Sequence, residues 1–325
     1  MAGIGAITTT VSILIVVLNT LVLASFVLFG SLREKAADYL ILNLSITDLL
    51  LGLLVLPFSI VHKLSGSWYF GPLACKFWQS FDICLCVQSV WAAMLLSIDK
   101  YLYVAYPLRY ISMVTTQRLC IGVLISWCVA FAFAFLPNMT NASVDVEIQS
   151  SLPPELCVYV LNTAYALAAF FVNFFCPFLV ILFTNYRIYR AVKHQTRRIR
   201  QLQVLERTSA SGNSGTQPDA PFLSKSEIKA IKITGVLIGS LVIMWLPLFV
   251  TLVIDTICHC VDPVIFETVN WLGYCNSMCN PLLYACNTNY RTAYKRILCC
   301  DLNSPRPEDS QNAGVVPLPR QNRRD

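Results

Sequence analysis

Residues Cys75–Tyr101 read CKFWQSFDICLCVQSVWAAMLLSIDKY. No charged residue occurs between Ile83 and Ile98, so the run reads as the body of a membrane-spanning helix. Cys75 stands at one end and Asp99-Lys100-Tyr101 at the other. Asp82 lies seven residues past Cys75, two helical turns or about 10 Å deeper. Ser89 is seven residues further along, on the same face. A carboxylate at that depth costs about 2.5–3.5 kcal/mol on insertion scales, and such residues are kept for function. The stretch is therefore a span built around one buried carboxylate, and the rest of the chain should explain what that carboxylate binds.

Composition agrees with a lipid environment. Of 325 residues, 56% are hydrophobic and only 13% are charged, against about 25% in soluble domains. The net charge of +6 lies where membrane-surface loops are expected, which argues against nucleic acid. There is no P-loop, dinucleotide fingerprint or zinc-protease motif. His62, His194 and His259 are scattered near span ends, so no histidine-based metal site or triad is indicated. The first apolar run has no basic flank and no clear cleavage site; it is expected to act as its own insertion signal.

Seven apolar segments are long enough to cross a bilayer. They cover about Ile4–Phe29, Ala37–Val61, the opening stretch, Leu119–Leu136, Leu156–Tyr186, Ile233–Ile254 and Pro263–Cys286. A short amphipathic segment, Tyr290–Leu298, follows and is expected along the membrane surface. The expected fold is an all-α membrane protein, a seven-transmembrane helix bundle. It comprises a short outer N-terminus (1–3), the bundle with its amphipathic helix (4–298) and a disordered cytosolic tail (299–325). Of the 24 Lys and Arg residues, 22 fall in the turn after span one, the loops after spans three and five, and the tail; only Lys63 and Lys76 lie opposite. The positive-inside rule then places the N-terminus outside and the C-terminus in the cytosol of a multi-pass plasma-membrane protein.

Cys75, Cys157, Cys258 and Cys260 fall on the outer, oxidising side. A Cys75–Cys157 bridge would tie the loop after span four to the top of span three. Cys258 and Cys260 are near enough to pair in a tight loop or to stay free. Two sequons, Asn138-Met-Thr and Asn141-Ala-Ser, share the outer loop with Cys157. Asn43-Leu-Ser also fits the pattern but lies in a span and is discounted. Gln195–Ser224 reads as the one extended polar loop, flexible through SASGNSGTQPDAP. No internal repeat is evident, which argues against a transporter built from inverted halves.

These marks, taken in order, resemble the rhodopsin-like (class A) G protein-coupled receptors over nearly the whole chain. They are Asn19, Leu44-Ser45-Ile46-Thr47-Asp48, Cys75, Asp99-Lys100-Tyr101, Pro107-Leu108, Trp127, Pro177, Trp245-Leu246-Pro247 and Asn280-Pro281-Leu282-Leu283-Tyr284. Asp82, Trp271 and Tyr274 resemble the biogenic-amine branch. There the matching aspartate pairs with a protonated amine and the matching tyrosine hydrogen-bonds it. The resemblance implies a ligand site of Asp82, Cys86, Ala169, Phe170, Asn173, Trp245, Phe249, Trp271 and Tyr274, with the aromatic rings facing the ligand. Catecholamine receptors carry serines around the positions of Ala169, Phe170 and Asn173; this chain has none there. That disfavours dopamine or adrenaline and leaves tyramine-like or serotonin-like amines open.

The resemblance also implies how a signal crosses. Asp48, Ser89, Asn276 and Ser277 are similar to the family's sodium pocket; a hydrated polar network would use the same residues. Apart from that allosteric ion, no cofactor is implied. Pro247, Asn280, Pro281 and Tyr284 would let spans six and seven bend, and amine binding would shift a conformational equilibrium. Asp99, Lys100 and Tyr101 with Glu227 would form the inactive-state lock. Lys100 stands where the family has arginine, which keeps the charge and loses the bidentate fork. The family also favours a tyrosine near Asn185; here Tyr186 is next door. Altered coupling is therefore expected. The implied partners are a small amine, a heterotrimeric G protein, arrestin, receptor kinases and membrane lipid. Cys299 and Cys300 read as palmitoylation sites.

Other readings fare less well. A retinal-binding opsin needs a lysine in span seven, and none occurs between Pro263 and Tyr290. A peptide or orphan receptor of the same fold is the second reading, suggested by an acidic outer rim of Glu155, Asp255, Asp262 and Glu267. It leaves Asp82 and Tyr274 unexplained. A transporter predicts several charges along a path, whereas only Asp48 and Asp82 are clearly buried. No nucleophile–base constellation marks an enzyme.

Overall fold

The computed structural model describes residues 2–33, 36–150, 153, 156–158, 160–209 and 225–301. Helix α1 (Ala2–Leu28) contains no charge and forms span one. Span two is broken. Helix α2 (Ala36–Leu54) stops at Val55, and α3 (Leu56–Ser65) restarts with Pro57 in its first turn. Proline cannot donate to the ladder, so the helix bends there. The Trp78 indole donates to the Val55 carbonyl at 3.0 Å, which pins span three against the break. Helix α3 ends where Gly66 takes φ 70° and its N–H returns to the His62 carbonyl, a left-handed stop that glycine tolerates.

Span three is α4 (Gly71–Ala105), 35 residues that include the whole opening stretch. It packs against spans two, four, five and six and forms the centre of the bundle. The short helix α5 (Pro107–Met113) follows in the loop after span three, then span four, α6 (Thr116–Met139), capped by the Thr115 hydroxyl. A one-turn helix α7 (Val146–Ser150) lies in the loop after span four. Span five comprises α8 (Thr163–Ala168), a widened π-helical turn (Ala169–Phe175) and α9 (Cys176–Ser209). Span six is α10 (Lys225–Cys258), span seven α11 (Pro263–Tyr284), and α12 (Thr288–Leu298) is the amphipathic helix. Among the described residues there is no sheet, only an isolated bridge between Val144 and Leu161.

Several boundaries differ from the sequence reading. Span five starts at Thr163, not Leu156. The described residues before it belong to the loop after span four, where Cys157 is bonded to Cys75, Leu161 pairs with Val144 and the Asn162 side chain caps the helix. The polar loop after span five does not begin at Gln195, because α9 continues to Ser209; residues 210–224 and the tail beyond Asp301 lie outside the described residues. Six described helices are long and apolar enough to cross a membrane. Helix α11 is not among them, because Glu267, Asn270, Asn276 and Asn280 dilute its apolar content. Asn276 and Asn280 are buried in the interior instead. Asn19 of α1 donates to its own helix at Ile15 and to the Ser277 carbonyl at 3.0 Å, joining spans one and seven.

Candidate functional site

The centre of the site is Asp82 on α4. Its Oδ1 accepts from the Tyr274 hydroxyl at 2.9 Å and from the Cys86 thiol at 3.6 Å. Its Oδ2 makes no hydrogen bond among the described residues. Tyr274 is 1% exposed and receives a further bond from the Asn270 amide, 3.1 Å away. Asn270, Tyr274 and Asp82 thus form a polar chain from span seven to span three. Sequence reading missed Asn270. Its signal was its place one helical turn before Tyr274, on the same face.

Aromatic and apolar groups surround this chain. Tyr274 shares a cluster with Leu85 and Leu51, bordered by Trp78, Phe81, Cys86 and Trp271. Trp271 meets Tyr274 edge-on at 5.5 Å. Cys86 also borders a second cluster containing Trp245, Phe249 and Phe174, with Phe170 packed against it. Cys86 therefore links the carboxylate to the span-six aromatics. Trp245 lies against Gly273, where a Cβ would come within 3.1 Å of its ring; the absent side chain is what allows the indole to approach span seven. Ala169 and Asn173 sit in the widened turn of span five. Asn173 is fully buried, and both atoms of its amide lack a protein partner.

A second polar cluster lies deeper. Asp48 is 1% exposed. It accepts from the Ser277 hydroxyl at 2.7 Å and the Asn280 amide at 2.9 Å. Ser89, both amide atoms of Asn276 and Oδ1 of Asn280 are buried without a protein partner. Buried polar atoms left unsatisfied in this way call for guests with matching polarity.

A family model described as 7 transmembrane receptor (rhodopsin family) matches residues 18–284. The chain belongs to the rhodopsin family of seven-transmembrane receptors. Similar proteins include the D(1)-like dopamine receptor of Takifugu rubripes, 30% identical over 307 residues, covering 87% of this chain and 67% of that receptor. The D(1A) dopamine receptor of Didelphis virginiana is 30% identical over 315 residues, covering 87% and 70%. The histamine H2 receptor of Homo sapiens is 32% identical over 296 residues, covering 90% and 78%. The chain therefore spans about two thirds of the length of these dopamine receptors.

At the end of span three away from Cys75, Asp99 accepts from the Tyr110 hydroxyl of α5 at 2.6 Å and pairs with Lys100 at 3.4 Å. Tyr101 meets Arg187 in a cation–π contact at 6.0 Å. Glu227 lies in α10, but its side chain falls outside the described residues, as does the lock with Lys100. Asn185 turns inward and donates to Ser97 at 3.3 Å, while Tyr186 is 58% exposed on another face. Tyr284 is buried beside Tyr290 with its hydroxyl unpartnered. Pro247 and Pro281 stand inside their helices.

Cys75–Cys157 and Cys258–Cys260 are both disulfides. The two sequons separate sharply. Asn141 is exposed, whereas Asn138 is fully buried. The Asn138 amide donates to Ser80 at 3.2 Å and accepts from Ser143 at 2.6 Å. This corrects the sequence reading of Asn138 as a glycosylation site, since its nitrogen is committed to span three. Cys299 and Cys300 are exposed at the end of α12.

Proposed function

We propose that this receptor binds a small protonated amine through Asp82 and passes the signal to a heterotrimeric G protein. The observation that carries the reading is the asymmetry of the Asp82 carboxylate. Tyr274 and Cys86 hold Oδ1, and Oδ2 is left for a ligand ammonium. An ammonium in that place makes a charge-assisted bond, the stronger kind. Trp245, Phe249 and Trp271 offer aromatic faces to the rest of the molecule. The relatives are named for dopamine and histamine, which supports an amine. The serine-free turn of span five argues against a catechol. Asn173, with a donor and an acceptor both unspent, suits a ring that carries a phenol, an imidazole or an indole N–H.

Asp48, Ser89, Asn276 and Ser277 fit a sodium ion by their chemistry. They offer a carboxylate and unspent hydroxyl and amide oxygens, the hard donors such a cation takes. A bound ion would supply the positive charge that Asp48 lacks there. On the cytosolic side Leu108, 94% exposed, and Ile111, 85% exposed, offer apolar contacts to a G protein. The exposed Asn141 is the glycan site of this reading, and Cys299 and Cys300 are its lipid-anchor sites. Arrestin and receptor kinases are its further partners, and the N-terminus faces outward.

A second-messenger screen tests the proposal. Cells expressing the receptor are exposed to tyramine, octopamine, serotonin, histamine and dopamine while cAMP and calcium are recorded. The expected result is a response to one amine that Asp82→Ala abolishes at unchanged surface expression. Lys100→Arg in the same screen should raise the response, because it restores the planar fork. Silence in every variant, with the receptor confirmed at the surface, overturns the amine reading in favour of a peptide ligand.

A further inference from the structure

Lys63 and Glu267 form an ion pair across the outer end of the bundle. Lys63 is in the last turn of α3, and Glu267 is near the start of α11. Glu267 precedes Tyr274 by seven residues, so it stands two turns above it on the same face, about 10 Å further out. The pair therefore lies over the Asn270–Tyr274–Asp82 chain, on the side bounded by spans two and seven.

Both ends of the pair are firmly seated. The His62 ring meets Trp68 at 5.7 Å and Trp78 at 6.2 Å, and Trp68 stacks on Trp78 at 5.0 Å. Trp78 borders the cluster that contains Tyr274. The end of α3 is thus joined through aromatic contacts to the top of span three. At the other end, Asp262 caps α11 through the Val264 N–H at 2.7 Å. Between these two anchored blocks the Lys63 ammonium reaches the Glu267 carboxylate. The side chains are 24% and 40% exposed, so water and dissolved ions reach the contact.

We propose that Lys63 and Glu267 are a strap across the mouth of the Asp82 pocket, and that its opening sets how fast an amine enters and leaves. The inference rests on reading Asp82 as the floor of that pocket. Closed, the strap holds the outer ends of spans two and seven together. It also masks Glu267 with a tethered ammonium, so an arriving amine is not trapped at the rim and proceeds to Asp82. Because the pair is partly exposed, the strap is weak enough to open on the timescale of ligand exchange and is sensitive to salt.

Cys86 supplies a native reporter that needs no identified ligand, since its thiol lies on Asp82. The probes are 2-aminoethyl methanethiosulfonate, a cation, and methyl methanethiosulfonate, which is neutral. In each case the Cys86 sulfur bonds to the reagent's sulfenyl sulfur, methanesulfinate leaves with the electron pair and the thiol proton goes to solvent. Modification of the Cys86 peptide is followed by mass spectrometry on the full chain in membranes. Lys63→Gln and Glu267→Gln should each speed modification by both reagents about two- to fivefold, the range a partly exposed ion pair supports. The exchanged pair Lys63→Glu with Glu267→Lys should return the rate to that of the wild type. Unchanged rates in the single variants overturn the strap, as does acceleration that the exchanged pair fails to reverse. Asp82→Asn separates the two readings: it should lower the rate of the cationic reagent relative to that of the neutral one, a ratio in which any change in the reactivity of the Cys86 thiol cancels. If that ratio is unchanged, the amine pocket fails, whatever the strap variants show.

Discussion

At Asp82 the two carboxylate oxygens are unequal, and the inequality comes from one hydroxyl and one thiol. The Tyr274 hydroxyl, fixed from behind by Asn270, is the stronger of the two donors to Oδ1. Tyr274→Phe removes that bond while keeping the ring against Trp271. Hydrogen bonds to charged groups contribute about 1.5–3 kcal/mol, so amine potency should fall by roughly tenfold to a hundredfold. A concentration–response curve for the amine found by the screen measures this, and unchanged potency would remove Tyr274 from the site. Asp82 and Tyr274 were legible in the sequence because a lone charge in an apolar run is conspicuous and because the pair matches a known branch. Asn270 was not legible. Asparagine recurs along span seven, at 270, 276 and 280, and only the folded helix shows which copy faces Tyr274. The orphaned amide of Asn173 was likewise invisible until its surroundings were known to hold no partner for it.

Elements were legible in kind and less so in extent. Apolar length fixed where the spans are, but span five borrowed Leu156–Asn162 from a loop that a disulfide and a cap hold outside the helix. The sequon rule reads three residues and knows nothing of burial. Asn138 satisfied it while serving as a polar link from span four to span three and to the loop that follows span four. Asn138→Ala removes its bonds to Ser80 and Ser143 and leaves their hydroxyls buried. Each buried group left unsatisfied costs about 1–3 kcal/mol, so the purified receptor should melt several degrees lower while its glycan-dependent gel shift stays unchanged. Loss of the gel shift instead would return Asn138 to the list of modified residues. Helix α5 is joined to span three by Tyr110. Burial first, then the bond to Asp99, pushes the Tyr110 phenol above its ordinary value. A raised folded value means that the contribution is fully present below the unfolded pKa of about 10 and is lost as pH rises through the folded value. The link therefore holds across physiological pH. Tyr110→Phe should lower the melting temperature at neutral pH and flatten its decline above about pH 10. Parallel alkaline limbs in the two proteins would show that Tyr110 does not carry that decline.

For the whole molecule, the order of the marks along the chain was enough to place it in its family, because seven spans with one polar signature each leave few alternatives. What order alone could not show is how those signatures meet. Ser277 and Asn280 of span seven meet Asp48 of span two, and Ser89 of span three and Asn276 of span seven are buried with polar atoms that the described protein atoms do not satisfy. A buried carboxylate with unspent oxygens beside it stabilises whichever arrangement of the three spans lets it keep a cation or a set of waters. Those two guests differ in one respect that thermodynamics exposes. A cation that binds the folded receptor and not the unfolded chain raises stability with its own concentration, whereas water is always present. The purified receptor should therefore melt at a higher temperature in sodium chloride than in choline chloride of equal ionic strength. The gap should widen with concentration until the site saturates. Asp48→Asn, which keeps the shape and removes the charge, should melt alike in both salts. The measurement involves neither agonist nor G protein, so it is independent of which amine the receptor takes. If wild type and Asp48→Asn both ignore the choice of cation, the cluster holds water, and the spans are joined by a neutral hydrogen-bonded network.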